Sequence, residues 1–275
     1  MSITSYAQNF EDVVLWRALR EVENGAYLDI GAHDPVVDSV SKAFYDAGWR
    51  GVHVEPEPEA AEKLREARPD ETVLEVAVDK KPQKLTLYSF AGTGLSTGVK
   101  EIAEKHQSDG RDPEEIKVKT KTLSAILNQM EAPEIHWMKV DVEGMETAVL
   151  SSWGNATARP WIVLVESTVP NSKKEADLSW EKELTSRGYS FVRFDGLNRF
   201  YVHEDHKDLE EPLSISPNVF DGFVISDTSS SSFSASIKKA KEAAKALYRK
   251  QIKDLTKQIE DKERLVAEEQ QRSRD

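Results

Sequence analysis

The stretch Tyr27-Leu28-Asp29-Ile30-Gly31-Ala32, followed by Gly51-Val52-His53-Val54-Glu55-Pro56, most constrains what this chain can fold into. Each reads as a buried strand ending in a polar residue at the carboxyl edge of a sheet. Ligands of open α/β sheets bind at that edge. The first strand is followed by a turn with one glycine, Gly31, where backbone can approach a ligand closely. The second ends in Glu55, and a carboxylate there is the usual partner of a ribose hydroxyl pair. A nucleoside-containing cofactor is therefore expected.

The glycines that are missing narrow the choice. A dinucleotide fold needs G-x-G-x-x-G so that a pyrophosphate can sit on a helix start. After Gly31 the chain runs Ala32-His33-Asp34-Pro35, and Asp34 would repel a pyrophosphate. S-adenosylmethionine (SAM) has no phosphate and carries a positive sulfonium, which acidic residues near the turn suit. Two alternatives stay open: an NAD-linked oxidoreductase on a similar sheet, and a non-catalytic scaffold domain carrying a coiled coil.

The 275 residues allow one α/β domain plus an appendage, and 39% hydrophobic residues suffice for a core. No run of eighteen apolar residues is present, so no membrane span is expected. The first residues lack the basic and apolar regions of a signal peptide. With no cysteine in the chain, disulfides, thiolate metal sites and cysteine nucleophiles are excluded. A cytoplasmic location is expected. The net charge of −12 hides an asymmetry: residues 236–275 carry twelve basic and eight acidic side chains, leaving 25 against 41 elsewhere. So acidic a body is a poor nucleic-acid binder, and no nucleic-acid partner is expected.

Along the chain, residues 6–21 show helical periodicity, and strands and helices then alternate. Strands are expected over residues 27–30, 52–55, 73–78, 84–90, 135–140 and 161–166. Helices are expected over 39–47, 57–67, 120–130, from 143 onward, and 175–187. Residues 189–194 and 199–203 read as a closing hairpin. This order implies a Rossmann-like α/β domain, residues 1–225, with a mostly parallel sheet and an antiparallel edge hairpin. A serine-rich linker, residues 226–236, leads to residues 237–275. There Ile237, Ala240, Ala244 and Leu247 keep a 3-4 spacing, as do Ile252, Leu255, Ile259, Lys262 and Val266, with one slip of phase near residues 248–252, so a long helix and a coiled coil are expected. Homo-oligomerisation through this helix follows. Its basic first half also suits contact with an anionic membrane surface, at the inner face of the membrane.

Taken together these residues resemble the FkbM-type methyltransferase family over about residues 5–203. The most specific block, Met138-Lys139-Val140-Asp141-Val142-Glu143-Gly144-Met145-Glu146, is similar to the family's hydrophobic-K-[IV]-D-[VI]-E-G-x-E signature. Tyr27 to Ala32, Gly48-Trp49-Arg50-Gly51, Val54-Glu55-Pro56 and the segment from Ser5 to Asp12 match earlier blocks in order. The resemblance implies a class I methyltransferase fold, SAM as cofactor and transfer to a hydroxyl oxygen, often of a sugar or other hydroxylated metabolite. A glycan or polysaccharide acceptor is thus expected.

By resemblance and strand-end position, Asp29, Gly31 and Ala32 should line the methionine part of SAM. Glu55 should take the ribose, Val78 and Asp79 should flank adenine, and Gln8 should close over the cofactor. Asp141 and Glu166 end adjacent strands and are the candidate catalytic carboxylates; close together, they would raise one pKa and make a base, or hold Mg²⁺. His33 is the other candidate base. Glu146, and Glu143 in part, read as helix-start acids. His53 and His136 read as core residues, and Asn198 and Arg199 as turn residues that could meet an acceptor. The loop Gly94-Leu95-Ser96-Thr97-Gly98 and the polar stretch 100–115 are a candidate cover and a candidate lid or disordered insertion.

Overall fold

The computed structural model describes residues 3–272 apart from Ala91, Asn171 and Ser231. The chain divides into two compact units, Met1–Ser230 and Ser231–Asp275. The first opens with β1 (Thr4–Ser5), α1 (Glu11–Leu19), β2 (Ala26–Ile30), α2 (Val40–Asp46), β3 (Arg50–Val54), α3 (Pro58–Ala67) and β4 (Thr72–Leu74). Next come β5 (Ala77–Val78), β6 (Lys84–Ser89), α4 (Lys100–Ser108), β7 (Glu114–Lys121), α5 (Leu123–Leu127), β8 (Trp137–Val140), α6 (Glu146–Ser151) and β9 (Ile162–Glu166). The unit closes with α7 (Glu181–Thr185), β10 (Tyr189–Phe194), β11 (Asn198–His203), α8 (Glu210–Ser214) and β12 (Val224–Ile225).

Seven strands form one sheet in the order β10-β11-β9-β8-β2-β3-β4. Five are parallel, and β11 and β10 form the antiparallel edge. This is the α/β class that the sequence predicts. Every residue of β8 is buried, as are Ile162 to Val165 of β9, because helices cover both faces of a parallel sheet. Successive side chains alternate between faces. Met138, Val140, Val163 and Val165 pack with Trp153 and Trp180 on one face. Tyr27, Trp137, Ile162 and Leu164 pack with Leu15, Phe44 and Trp49 on the other. Tyr27 stacks on Trp137 with ring centres 4.6 Å apart. The chain passes from β2 to β3 on one side and returns to β8 on the other, so strand order reverses between β2 and β8. A crevice opens at the carboxyl ends of strands at such a point.

Several boundaries differ from expectation, each for a local reason. Residues 6–10 are not helical, because the Asp12 carboxylate accepts the Tyr6 and Ala7 N–H groups at 2.7 and 3.2 Å, a local alternative to helix. The strand expected over 73–78 is broken at Val76, whose N–H turns back to the Leu74 carbonyl. β4 stays in the main sheet, while β5 joins a separate three-stranded sheet, β5-β7-β6. Residues 100–115 form α4, which buries Ala103 and His106, and the start of β7 at Glu114, and so are not an irregular insertion. The helices expected over 120–130 and 175–187 shrink to α5 and α7. The serine-rich segment is pinned to the first unit up to residue 230. The Ser226 N–H reaches the Ser5 carbonyl at 2.8 Å, and the Ser230 N–H reaches Asp38 at 2.8 Å.

The second unit is a short turn of 3-10 helix, Ser232–Ser234, and α9, Ala235–Arg272, 38 residues long. Tyr248, Ile252, Leu255, Ile259 and Val266 are all more than half exposed on it. No helix among the described residues is long and apolar enough to cross a membrane.

Candidate active site

A cavity of about 640 Å³ lies at the carboxyl ends of β2, β3, β8 and β9, within the ~300–1,000 Å³ of small-molecule sites. Gln8, Asp29, Gly31, Ala32, His33, Glu55, Val78, Asp141 and Glu166 all line it. Asp79 does not. Its carboxylate accepts the Lys80 N–H at 2.7 Å and the Gln83 amide at 2.6 Å, because the break at Val76 carries the chain's next residues into the smaller sheet.

One side of the cavity, around Gly31 and Glu55, is built from backbone closeness and one fixed carboxylate. Gly31 has φ +84°, and a Cβ there would stand 1.7 Å from the Asp141 carbonyl oxygen. The ends of β2 and β8 are thus pressed together with only glycine between them. Glu55 is buried and accepts the His33 N–H at 2.9 Å and the Glu57 N–H at 2.8 Å. Burial pushes its carboxyl up to about 7 against the pull of those two donors, with Glu57 and Asp29 adding to the rise. His33 has φ +48°, and the Gly94 main chain passes close enough to its ring that a Cβ on Gly94 would lie 3.4 Å from His33 Cδ2. Under the turn, buried Arg68 donates to the Pro35 carbonyl at 2.7 Å and to the Ser39 hydroxyl at 3.1 Å. It braces residues 35–39 from behind.

The opposite side is acidic around one cation. Lys139 is buried at the end of β8, where its Nζ donates to Asp141 at 2.5 Å. Burial alone would lower the ammonium's pKa, but Asp141 and Asp29 hold it well above the ordinary lysine value. Burial raises the Asp141 carboxyl, but the Lys139 ammonium, a hydrogen bond from Glu166 and the nearby His33 together outweigh this and hold Asp141 below its ordinary value. Carboxylate oxygens of Asp141, Glu143 and Glu166 lie within 4.8 Å of one another. Burial and the Asp141 charge push Glu166 up to about 11. Burial, then Asp141 and Glu146, push Glu143 up to about 8. The opposite shifts of Asp141 and Glu166 favour a single proton on the pair, on the Glu166 side. The trio has the oxygen chemistry of a divalent-cation set, yet the Lys139 ammonium already neutralises Asp141.

Glu143 corrects the sequence reading. It precedes α6 in a left-handed conformation, φ +49°, and lines the cavity, with Oε2 buried and lacking a hydrogen-bond partner. Its backbone is fixed by buried Thr97, whose hydroxyl donates to the Glu143 carbonyl at 2.7 Å. Thr97 lies in the glycine-rich loop, so that loop docks onto the acidic side. Glu146 does behave as a helix-start acid, accepting the Gly144 N–H at 3.1 Å. Asn198 does not face an acceptor: its amide is buried against Glu11 at 2.8 Å. Arg199 pairs with Glu175 at 2.8 Å. His53 and His136 are buried in the body as expected. Lys139 was the missed site residue with a legible signal, since a lysine inside a buried apolar strand is rare unless paired.

Three solved structures similar to this chain are methyltransferases. Methyltransferase FkbM from Methylobacillus flagellatus shares 14% identity at a TM-score of 0.41, covering 65% of this chain and 44% of that one. The chain thus spans less than half of that protein's length. A TehB-like SAM-dependent methyltransferase from Corynebacterium glutamicum shares 8% identity at 0.39, covering 70% and 87%. An O-methyltransferase from Bacillus cereus, in complex with SAH, shares 12% at 0.36, covering 72% and 82%. No curated protein matches the chain. The methyltransferase FkbM domain family matches residues 29–191, from the end of β2 into β10 and through the whole parallel sheet beyond it, and the chain belongs to that family.

Proposed function

We propose that the first unit transfers a methyl group from SAM to a hydroxyl oxygen of a sugar or glycan. The observation that carries this reading is the carboxyl trio Asp141, Glu143 and Glu166 in the same cavity as Gly31 and Glu55. The residues present fit SAM. The Gly31 turn lines the cavity, and the acids Asp29, Glu55, Asp141, Glu143 and Glu166 beside it suit a positive sulfonium and ribose hydroxyls. The same acids suit a pyrophosphate poorly, which disfavours a dinucleotide. When bound, SAM supplies a methyl group open to in-line attack.

The chain's own residues would do the rest. Glu55 takes the ribose hydroxyls, Asp29 and Ala32 line the methionine part, Val78 meets adenine, and Gln8 covers the mouth. Holding donor and acceptor in line supplies much of the rate. A sugar hydroxyl attacks poorly until its proton leaves. Asp141 and Glu166, with one proton between them, hold that hydroxyl. Glu143, with a free oxygen and a pKa near 8, takes its proton as the oxygen gains the methyl group. His33, which also lines the cavity, is the alternative base. No metal is needed, because Lys139 supplies the positive charge beside Asp141.

The test is incubation with labelled SAM and a panel of oligosaccharides, with and without Mg²⁺, and detection of methylated product by mass. A product formed equally in EDTA is expected. Calorimetry showing NAD binding and no SAM binding would sink the reading. Activity lost in EDTA and restored by Mg²⁺ would make the carboxyl trio a metal site instead.

A further inference from the structure

The long helix α9 has a property that the catalytic reading does not use. Its seam of Tyr248, Ile252, Leu255, Ile259 and Val266 is 53–64% exposed. The spacing is 4-3-4-7, with Lys262 at the intervening seam position. Most helix stability in proteins comes from packing an apolar face rather than from intrinsic propensity. The charge along α9 is divided. Residues 235–257 hold eight lysines and arginines against two acids, and residues 258–272 hold three against five. Parallel copies would set the basic halves side by side, at separations near the ~8 Å screening length of physiological salt. Antiparallel copies would set each basic half against an acidic one.

We propose that α9 pairs with α9 of a second copy of this chain as an antiparallel coiled coil. In an antiparallel coil each a position faces a d position. Two registers keep Leu255 central. One pairs Lys245 with Lys262 of the partner subunit and is disfavoured by like charge. The other packs Leu255 against Ile259 of the partner subunit and Tyr248 against Val266 of the partner subunit. It also sets Arg249 beside Glu263 of the partner subunit, an opposite-charge flanking pair of the kind that fixes orientation. Lys262 then meets Ile252 of the partner subunit, where its alkyl stem covers the isoleucine and its ammonium reaches water.

The test uses the full chain. Sedimentation equilibrium should give a dimer at micromolar concentration. Leu255→Lys and Ile259→Lys should each weaken association at least tenfold and leave helix content of the first unit and SAM binding unchanged, since both residues are exposed in one copy. Because the chain has no cysteine, a spin label on Ala246→Cys reports orientation without background. In the antiparallel register residue 246 stands opposite residue 268 of the partner subunit. The labels should then be separated by about 33 Å along the axis, at 1.5 Å per residue, whereas parallel strands would place them side by side. A monomer at every concentration, association indifferent to both lysine variants, or a short label distance would overturn the proposal. So would a chain that stays monomeric and binds only vesicles of phosphatidylserine, which would make the basic half a membrane contact.

Discussion

At the scale of single residues, the site depends on a few carboxyls whose protons are misplaced relative to water. Glu55 is the clearest case. Replacing it with Ala should weaken SAM binding by ~1.5–3 kcal/mol, the worth of hydrogen bonds to a charged group, as read by calorimetry. Unchanged affinity would remove Glu55 from the ribose. Glu143→Gln keeps the shape and removes the proposed base, and should cut turnover by ~10²-fold with SAM affinity kept. If Glu143→Gln turns over normally while Asp141→Asn does not, the proton goes to Asp141. Turnover of the unaltered enzyme should climb with pH as Glu143 loses its proton near pH 8. Asp29, Glu55, Asp141 and Glu166 were legible beforehand because each ends an apolar run. Glu143 was not, because V-E-G reads equally as a helix start, and its left-handed backbone is set by Thr97, 46 residues away in the chain.

At the scale of elements, the sensitive junction is between β2 and β8. Gly31→Ala puts a Cβ at 1.7 Å from a backbone oxygen and adds ~1–2 kcal/mol of left-handed strain. The strands must part, so thermal unfolding should move lower and SAM binding should be lost. Binding at the unaltered level would show that the strand ends separate freely. The strands flanking this junction were readable because they are apolar on both faces. β7 was not: in Glu-Glu-Ile-Lys-Val-Lys-Thr-Lys the period of two is present, but its outward face is all charge and resembles a polar connection. The break at Val76 also escaped, since nothing in Leu74-Glu75-Val76-Ala77-Val78 marks a change of sheet. Asp79 was misplaced for that reason.

At the scale of the whole molecule, stability and pH are linked through the same acids. Burial holds Glu11 and Glu55 up to about 7, with Asp195 adding to Glu11, and burial with Asp141 holds Glu143 up to about 8. Between about pH 4.5 and pH 8 the folded chain keeps protons that the unfolded chain has released, so stability falls as pH rises through that window. The Tm of the ligand-free protein should therefore drop from pH 5 to pH 8, and SAM should recover part of the loss. A flat profile would mean that these carboxyls titrate as in water. The segment carrying Gln8 and Glu11 to the cavity is held by β1, whose only strand partner among the described residues is β12, with Thr4 beside Val224 and Ser5 beside Ile225. That pairing has a consequence in time. A ribosome delivers Gln8 more than two hundred residues before the strand that clamps it, so this edge of the cavity is fastened last. Nascent chains released before residue 224 should leave the first ten residues open to protease, and those released after residue 230 should shield them.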